Sequence, residues 1–171
     1  MAISNATVKA ALRIDYVDDD AEFTRLIAAA VAWVERYTNV GLSSTSRSLY
    51  LAAWADAVIP IDPFVSLTSV KYWDTSNTFT TMPSTDYWID RSGAMPRIKF
   101  LENPKLYEGT NIEITYVAGN ATEPADMVQA VISIVGAWYN NPEATAPVAL
   151  QSVPLGAIYL LEHYKVKGPF S

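Results

Sequence analysis

The sequence predicts an α+β protein in which N-terminal and C-terminal helices pack as a small bundle, with an antiparallel β-hairpin or sheet insertion between them. Three observations predict it. Apolar residues recur at three- and four-residue spacing in two windows, Phe23 to Tyr37 and Met127 to Tyr139, the period of a helix that buries one face. Between these windows lie short runs rich in Thr, Tyr, Trp and Val, separated by turn formers, as pleated surfaces and hairpins require. The chain has 171 residues, 50% of them hydrophobic and 18% charged, which is enough apolar material for one core or one core carrying an insertion. Residues 1–171 therefore read as a single domain: helical over 1–44, a β insertion over 45–120, helical again over 121–164, and an extended C-terminal tail over 165–171.

The elements follow in order. Ser4 or Asn5 caps a short helix through Ile14. Asp18, Asp19 and Asp20 precede a longer helix, where carboxylates accept from free first-turn amides and favour the positive end of the helix dipole. In that helix Phe23, Leu26, Ile27, Ala30, Val31, Val34 and Tyr37 form the apolar stripe, and Ala28, Ala29, Ala30 and Ala32 make a strong helix former with a slim flank. Asn39 to Gly41 supply a stop. Strands are expected at Ser46–Trp54, Val65–Trp73, Phe79–Met82, Asp86–Asp90, Arg97–Leu101 and Asn111–Val117; the last alternates Ile112, Ile114 and Tyr116 with polar neighbours. These should pair as hairpins, with the partners left open. Thr122 is read as the cap of the third helix, with Pro124 in its first turn, where a missing amide costs nothing. Its stripe is Met127, Val128, Val131, Ile132, Val135, Trp138 and Tyr139. Pro154 opens a last short helix with Ile158, Leu161 and Tyr164 on one side.

Composition excludes several functions. The net charge is −6, and no window holds three adjacent basic residues, so tight binding to a phosphate backbone is not expected. There is no cysteine, hence no disulfide framework, thiolate metal site or thiol nucleophile. The start lacks the basic and apolar regions of a signal peptide, and the apolar run Leu26 to Val34 is too short to span a membrane. A soluble protein that stays where it is made, with no membrane partner, is the expectation.

The search for chemistry nominates no catalytic residue, cofactor or metal. The single histidine, His163, stands beside Glu162, but nothing nominates the nucleophile and orienting group a general base needs. Asp18 to Asp20 lack the Gly and Glu positions of a calcium loop; helix capping explains them with fewer assumptions. Asp86 and Asp90 on one strand would share a face about 13 Å apart, too far for paired glycosidase carboxylates. Neither a phosphate loop nor a nucleophile elbow occurs. The five Trp and ten Tyr read chiefly as core or interface anchors, with Trp73 and Trp88 left open for stacking on a ligand.

One charge feature stands out. Leu106 to Tyr164 carries six acidic residues and no Lys or Arg, after which Lys165 and Lys167 appear together, followed by Phe170. An acidic body with a short basic, aromatic-ended tail suits docking into an acidic groove on a partner; a solvated, fraying terminus is the plainer alternative.

Four segments in order resemble the head–tail connector family of long-tailed bacteriophages, also called adaptor or head-completion proteins. The first comprises VKAALRID at Val8–Asp15, DDDAEF at Asp18–Phe23 and LIAAAVAWVERYT at Leu26–Thr38. It is similar to the family's short helix, acidic turn and Ala-rich helix ending in Tyr-Thr. The second is PFVSLTSVKYWD at Pro63–Asp74, and the third IEITYVAG at Ile112–Gly119, followed by Pro124 and a helix ending WYNNPE at Trp138–Glu143. The fourth is PLGA from Pro154, closing in Leu160, Leu161, Tyr164 and Val166. The match spans nearly the whole chain but departs from the pattern at Glu143 to Val153, and Ser46–Trp54 has no clear signature.

The resemblance implies a virion structural protein of the head–tail interface, made in the host bacterial cytoplasm. It implies a homo-oligomeric ring, typically a dodecamer, between the portal protein and the next neck, stopper or tail protein. Double-stranded DNA would pass through its channel without specific binding. It implies C-terminal contact with the portal, here Lys165, Val166, Lys167 and Phe170, and side-by-side helices, here the flank of Arg25, Ala28, Ala29, Ala32 and Arg36. Two other readings remain: a tail-completion or tail-terminator protein, and a small carbohydrate-binding module or enzyme built on the β block, which would need a concave aromatic pocket with convergent polar groups.

Overall fold

The computed structural model describes residues 3–15, 18–93, 95–141 and 153–166. The chain forms two compact units, one of Met1–Ser43 with Asn120–Lys165 and one centred on Ser44–Gly119. The helical unit holds α1 (Asn5–Leu12), α2 (Asp20–Thr38), α3 (Ala125–Asn140) and α4 (Leu155–Leu161), which runs into a 3₁₀ turn at Glu162–Tyr164. The β unit holds β1 (Thr45–Leu51), β2 (Ala57–Val58), β3 (Phe64–Trp73), β4 (Phe79–Thr81), β5 (Tyr87–Asp90), β6 (Arg97–Phe100) and β7 (Ile112–Ala118). The class is α+β, with antiparallel sheets between the terminal helices.

In the helical unit, Ser4 caps α1 by accepting from the Thr7 amide at 3.2 Å. The helix ends at Leu12, two residues before the expected Ile14, because Arg13 turns left-handed (φ 60°) and Ile14 N–H returns to the Lys9 carbonyl at 2.9 Å. α2 buries Phe23, Leu26, Ile27, Ala30 and Val34. It stops where Asn39 adopts φ 57°, a conformation Asn tolerates. The two long helices pack together: the Phe23 and Tyr139 ring centroids are 4.6 Å apart, and the Tyr139 hydroxyl donates to Asp19 at 2.6 Å.

Two expectations about helix starts are corrected. Asp19 occupies the N-cap of α2, but its side chain makes no capping bond; Tyr139 takes one of its oxygens, and Asp20 is paired with Lys9 at 2.6 Å. α3 is led by Pro124 in an extended conformation (ψ 130°), not by Thr122, and the Pro124 carbonyl accepts from Val128 N–H at 3.0 Å. α3 also buries more than one stripe: Ala130, Ile134 and Gly136 join Met127, Val131, Ile132 and Val135, because α1, α2 and α4 all pack on it. Gly136 lets α1 approach closely, since a Cβ there would lie 2.8 Å from Leu12 Cδ2 and the leucine side chain would have to shift.

In the β unit one sheet has the order β1-β7-β3-β4 and the other β2-β6-β5, all pairs antiparallel. The expected hairpins are β3–β4 and β5–β6; β7 sits between β1 and β3 and joins segments far apart in sequence. β2 was not among the expected strands, being only two residues long. Along β7 burial alternates strictly. Leu49, Ile114 and Val70 form one inward row across the sheet, and Tyr50, Glu113 and Lys71 the adjacent outward row. Ile112, Ile114, Val70 and Tyr116 from the first sheet share one core with Ala57 and Ile98 from the second and with Ile59, which follows β2. Each such large apolar side chain contributes roughly 1.5–3 kcal/mol by leaving water.

Candidate functional site

The outward face of α2 is built from small residues between two arginines. Arg25, Ala28, Ala29, Ala32 and Arg36 are all exposed and lie on one side of the helix, as their three- and four-residue spacing requires. Helix axes approach to about 8–10 Å according to the side chains between them, so alanines leave room for a close neighbour. Arg25 is engaged along the helix, donating from Nε to Glu22 at 2.9 Å and from Nη2 to the other oxygen. That hydrogen bond holds the Glu22 carboxyl below its usual range and raises Arg25. Both groups are exposed, and such a pair is easily exchanged for an intermolecular one.

The C-terminal end of α2 meets the end of the chain's helical part. Trp33 and Tyr37 stack with centroids 5.0 Å apart and planes 9° apart. The Tyr37 hydroxyl donates to Glu162 at 3.2 Å, and Lys165 Nζ lies 4.8 Å from the Tyr37 ring centroid. Desolvation and then the nearby carboxylate push the Tyr37 phenol up. The start of the tail is thus seated on an aromatic shelf. Lys165 and Val166 are described; Lys167 and Phe170 lie outside the described residues. Sequence inspection did not nominate Trp33 or Glu162 for this shelf. The only available signal was the i, i+4 aromatic pair Trp33 and Tyr37 beside an acidic residue in the last helix.

The remaining candidates are dispersed. His163 is exposed on the 3₁₀ turn, its Nε2 3.7 Å from Asp126 and its ring against Tyr164. Asp18 is exposed, while Asp19 and Asp20 serve Tyr139 and Lys9. Among the described residues no group of three or more His, Cys, Asp or Glu is placed to hold a metal ion, and no helix is long and apolar enough to cross a membrane. Asp86 precedes β5 instead of sharing that strand with Asp90. Asp90 accepts from Ser92 and pairs with Lys99 at 3.3 Å. Trp88 is exposed, with Lys99 Nζ 5.2 Å from its ring.

Trp73 belongs to a shallow groove of about 260 Å³ on the outer face of the four-stranded sheet, with Tyr50, Phe79, Thr110, Asn111 and Glu113. Of these, only Trp73 stood out in the sequence. Tyr50 and Glu113 are brought together by the pairing of β1 with β7, which nothing local reveals.

A family model described as head completion protein matches residues 2–153. No curated protein matches the sequence. Among solved structures, the chain is similar to one in the neck of an empty gene transfer agent (GTA) particle computed with C6 symmetry, at 27% identity and a TM-score of 0.78, covering 97% of this chain and 90% of that one. A chain in the virion of a native gene transfer agent particle is similar at 26% identity and a TM-score of 0.78, with the same coverage of 97% and 90%. A third, in the neck of a native GTA particle computed with C12 symmetry, is similar at 26% identity and a TM-score of 0.71, covering 98% of this chain and 93% of that one.

Proposed function

This chain belongs to the head completion protein family, and from that premise we propose that it is a neck subunit forming a homo-oligomeric ring between the portal protein and the next neck or tail protein. Its role is structural, in the neck of a phage or phage-like particle. The ring extends the DNA channel, and duplex DNA passes without specific binding. The observation that carries this reading is the likeness over nearly the full length to chains from particle necks computed with C6 and C12 symmetry. A ring interface is heterologous, one face of a subunit meeting a different face of the next. The slim flank of Arg25, Ala28, Ala29, Ala32 and Arg36 is assigned to that contact. The segment Lys165, Val166, Lys167 and Phe170 is assigned to the portal, since its two cations and aromatic ring follow a stretch, Leu106 to Tyr164, that carries acidic residues and no Lys or Arg. The net charge of −6 favours DNA sliding over DNA retention.

Electron microscopy of the protein mixed with its portal tests this. Rings seated on the portal are expected, and failure of any ring to appear on or off the portal overturns the reading. Ala29→Trp should abolish rings while leaving the melting temperature nearly unchanged, because a surface substitution away from the core shifts stability by about 0.5 kcal/mol or less. Removing residues 166–171 should weaken portal attachment and leave the fold intact. Normal neck assembly by the truncated protein would remove the tail from the proposal and leave the ring.

A further inference from the structure

The groove on the outer face of the four-stranded sheet carries a chemistry that the neck role does not use. Its rings are exposed: Tyr50 is 62% accessible, Phe79 41% and Trp73 37%. Large apolar surface left in water is informative when it is clustered, and here the cluster surrounds a carboxylate. Glu113 lies between Tyr50 and Lys71 in the cross-strand row. Among the described residues it accepts long hydrogen bonds from two neutral hydroxyls, Ser48 and Tyr50, at 3.4 Å each. Lys71, directly opposite, sends its ammonium towards the Phe79 ring, 5.5 Å from the centroid, and among the described residues no basic group lies within ion-pair distance of Glu113.

The walls are held in place before any ligand arrives. Trp73 and Phe79 face each other across β3 and β4 with centroids 5.1 Å apart. Tyr107 N–H donates to the Trp73 carbonyl at 3.0 Å, and Thr110 closes a turn onto Tyr107 through N–H at 3.2 Å and its hydroxyl at 2.7 Å. Gly109 permits that turn with φ 76°. A preformed site spends little of its binding energy on ordering.

Aromatic faces attract cations, and an unpaired carboxylate among them selects positive charge over the phosphates of a nucleotide. A planar guanidinium stacks on rings and offers a carboxylate two parallel donors, which an ammonium does not. From this charge complementarity we propose that the groove is a docking site for an arginine side chain presented by a partner protein. The guanidinium stacks against the exposed rings and donates to Glu113. Lys71 is the built-in competitor for the same charge. The site is in the β unit and does not depend on the ring or tail assignments.

The test uses the full-length chain with 5-fluorotryptophan, the Trp73 resonance being assigned by its loss in Trp73→Phe. The probe is the capped peptide Gly-Gly-Arg-Gly-Gly, with the Lys counterpart and maltotriose as comparators. A saturable shift of the Trp73 resonance by the Arg peptide is expected, with weaker binding of the Lys peptide. Glu113→Gln should weaken the Arg peptide about tenfold, the scale of one charged hydrogen bond. Lys71→Met should tighten it severalfold; this second variant keeps the test decisive if Glu113→Gln perturbs the sheet. No saturable shift, equal binding to Glu113→Gln, or tighter binding of maltotriose would each overturn the proposal, the last in favour of a saccharide site.

Discussion

α3 and β7 are the central elements of their units, and they are sealed differently. α3 is buried on nearly every side, with Met127, Ile134 and Val135 fully out of water. β7 buries every second residue and leaves Glu113, Thr115 and Val117 facing outward. The surfaces follow from that. The helical unit wraps its centre with α1, α2 and α4 and presents small side chains on α2, whereas the β unit has one open sheet face and displays Tyr50, Trp73 and Phe79 on it. An alanine flank suits a long, close helix contact; a few exposed rings around a carboxylate suit a small number of anchoring contacts. One chain therefore carries two kinds of surface, each dictated by how its unit solves its own core.

The largest effects should come from emptying each core. Phe23→Ala removes a fully buried ring from α2 and should cost about 3–5 kcal/mol; Ile114→Ala on β7 should cost about 2–5 kcal/mol. Hydrogen exchange separates the consequences. Phe23→Ala should lower protection chiefly in α2 and α3, and Ile114→Ala chiefly in β1, β3 and β7. Equal loss throughout the chain in both variants would break the comparison, showing that the two units open as one.

Which features were legible in the sequence follows from how far apart the interacting residues are. The α2 stripe, its stop at Asn39 and the alternation along β7 involve neighbours within a few residues, and periodicity reports them. The exposure of Ala28, Ala29 and Ala32 follows from the same stripe. Asp19 and Asp20 were misread as helix caps because Tyr139 lies 120 positions away and Lys9 on another helix; tertiary hydrogen bonds outcompeted the local ones. β7 was visible as a strand, but its place between β1 and β3 depends on pairings such as Tyr50 with Glu113, 63 positions apart. The aromatic groove and the seat of Lys165 on Tyr37 were hidden for that reason, while the family resemblance, carried by local segments in order, was not.

A smaller effect is expected at Trp54, in the segment that follows β1. Trp54 Nε1 donates to the Pro104 carbonyl at 2.7 Å, and its ring meets Tyr72 and Phe100 edge-on at 5.4 and 5.0 Å. Trp54→Phe keeps a ring against those two neighbours and deletes the hydrogen bond, so a loss of about 1 kcal/mol is expected. It should appear in urea unfolding as a lower midpoint with unchanged slope. A change in slope would mean that Trp54 orders the loop around Pro104 beyond a single bond.

The smallest effect is confined to acid. Asp90 ends β5, where its carboxylate accepts from the Ser92 hydroxyl at 2.6 Å and the Ser92 amide at 3.0 Å, with Lys99 at 3.3 Å. Chiefly the Ser92 hydroxyl, then its amide and Lys99, hold the carboxyl down from 3.8 to about 2. A depressed carboxyl favours the folded state while ionised, so its contribution is fully present above about pH 3.8 and is lost as pH falls through about 2. Carbon-detected titration of the side chain should place its midpoint near 2, and in Ser92→Ala the midpoint should rise towards the ordinary value. Because Asp90 is only partly buried, at the surface, the gain in stability is small, and what the titration reads is the geometry of the turn that follows β5. An unshifted midpoint in the wild-type chain would mean that the turn is open in solution.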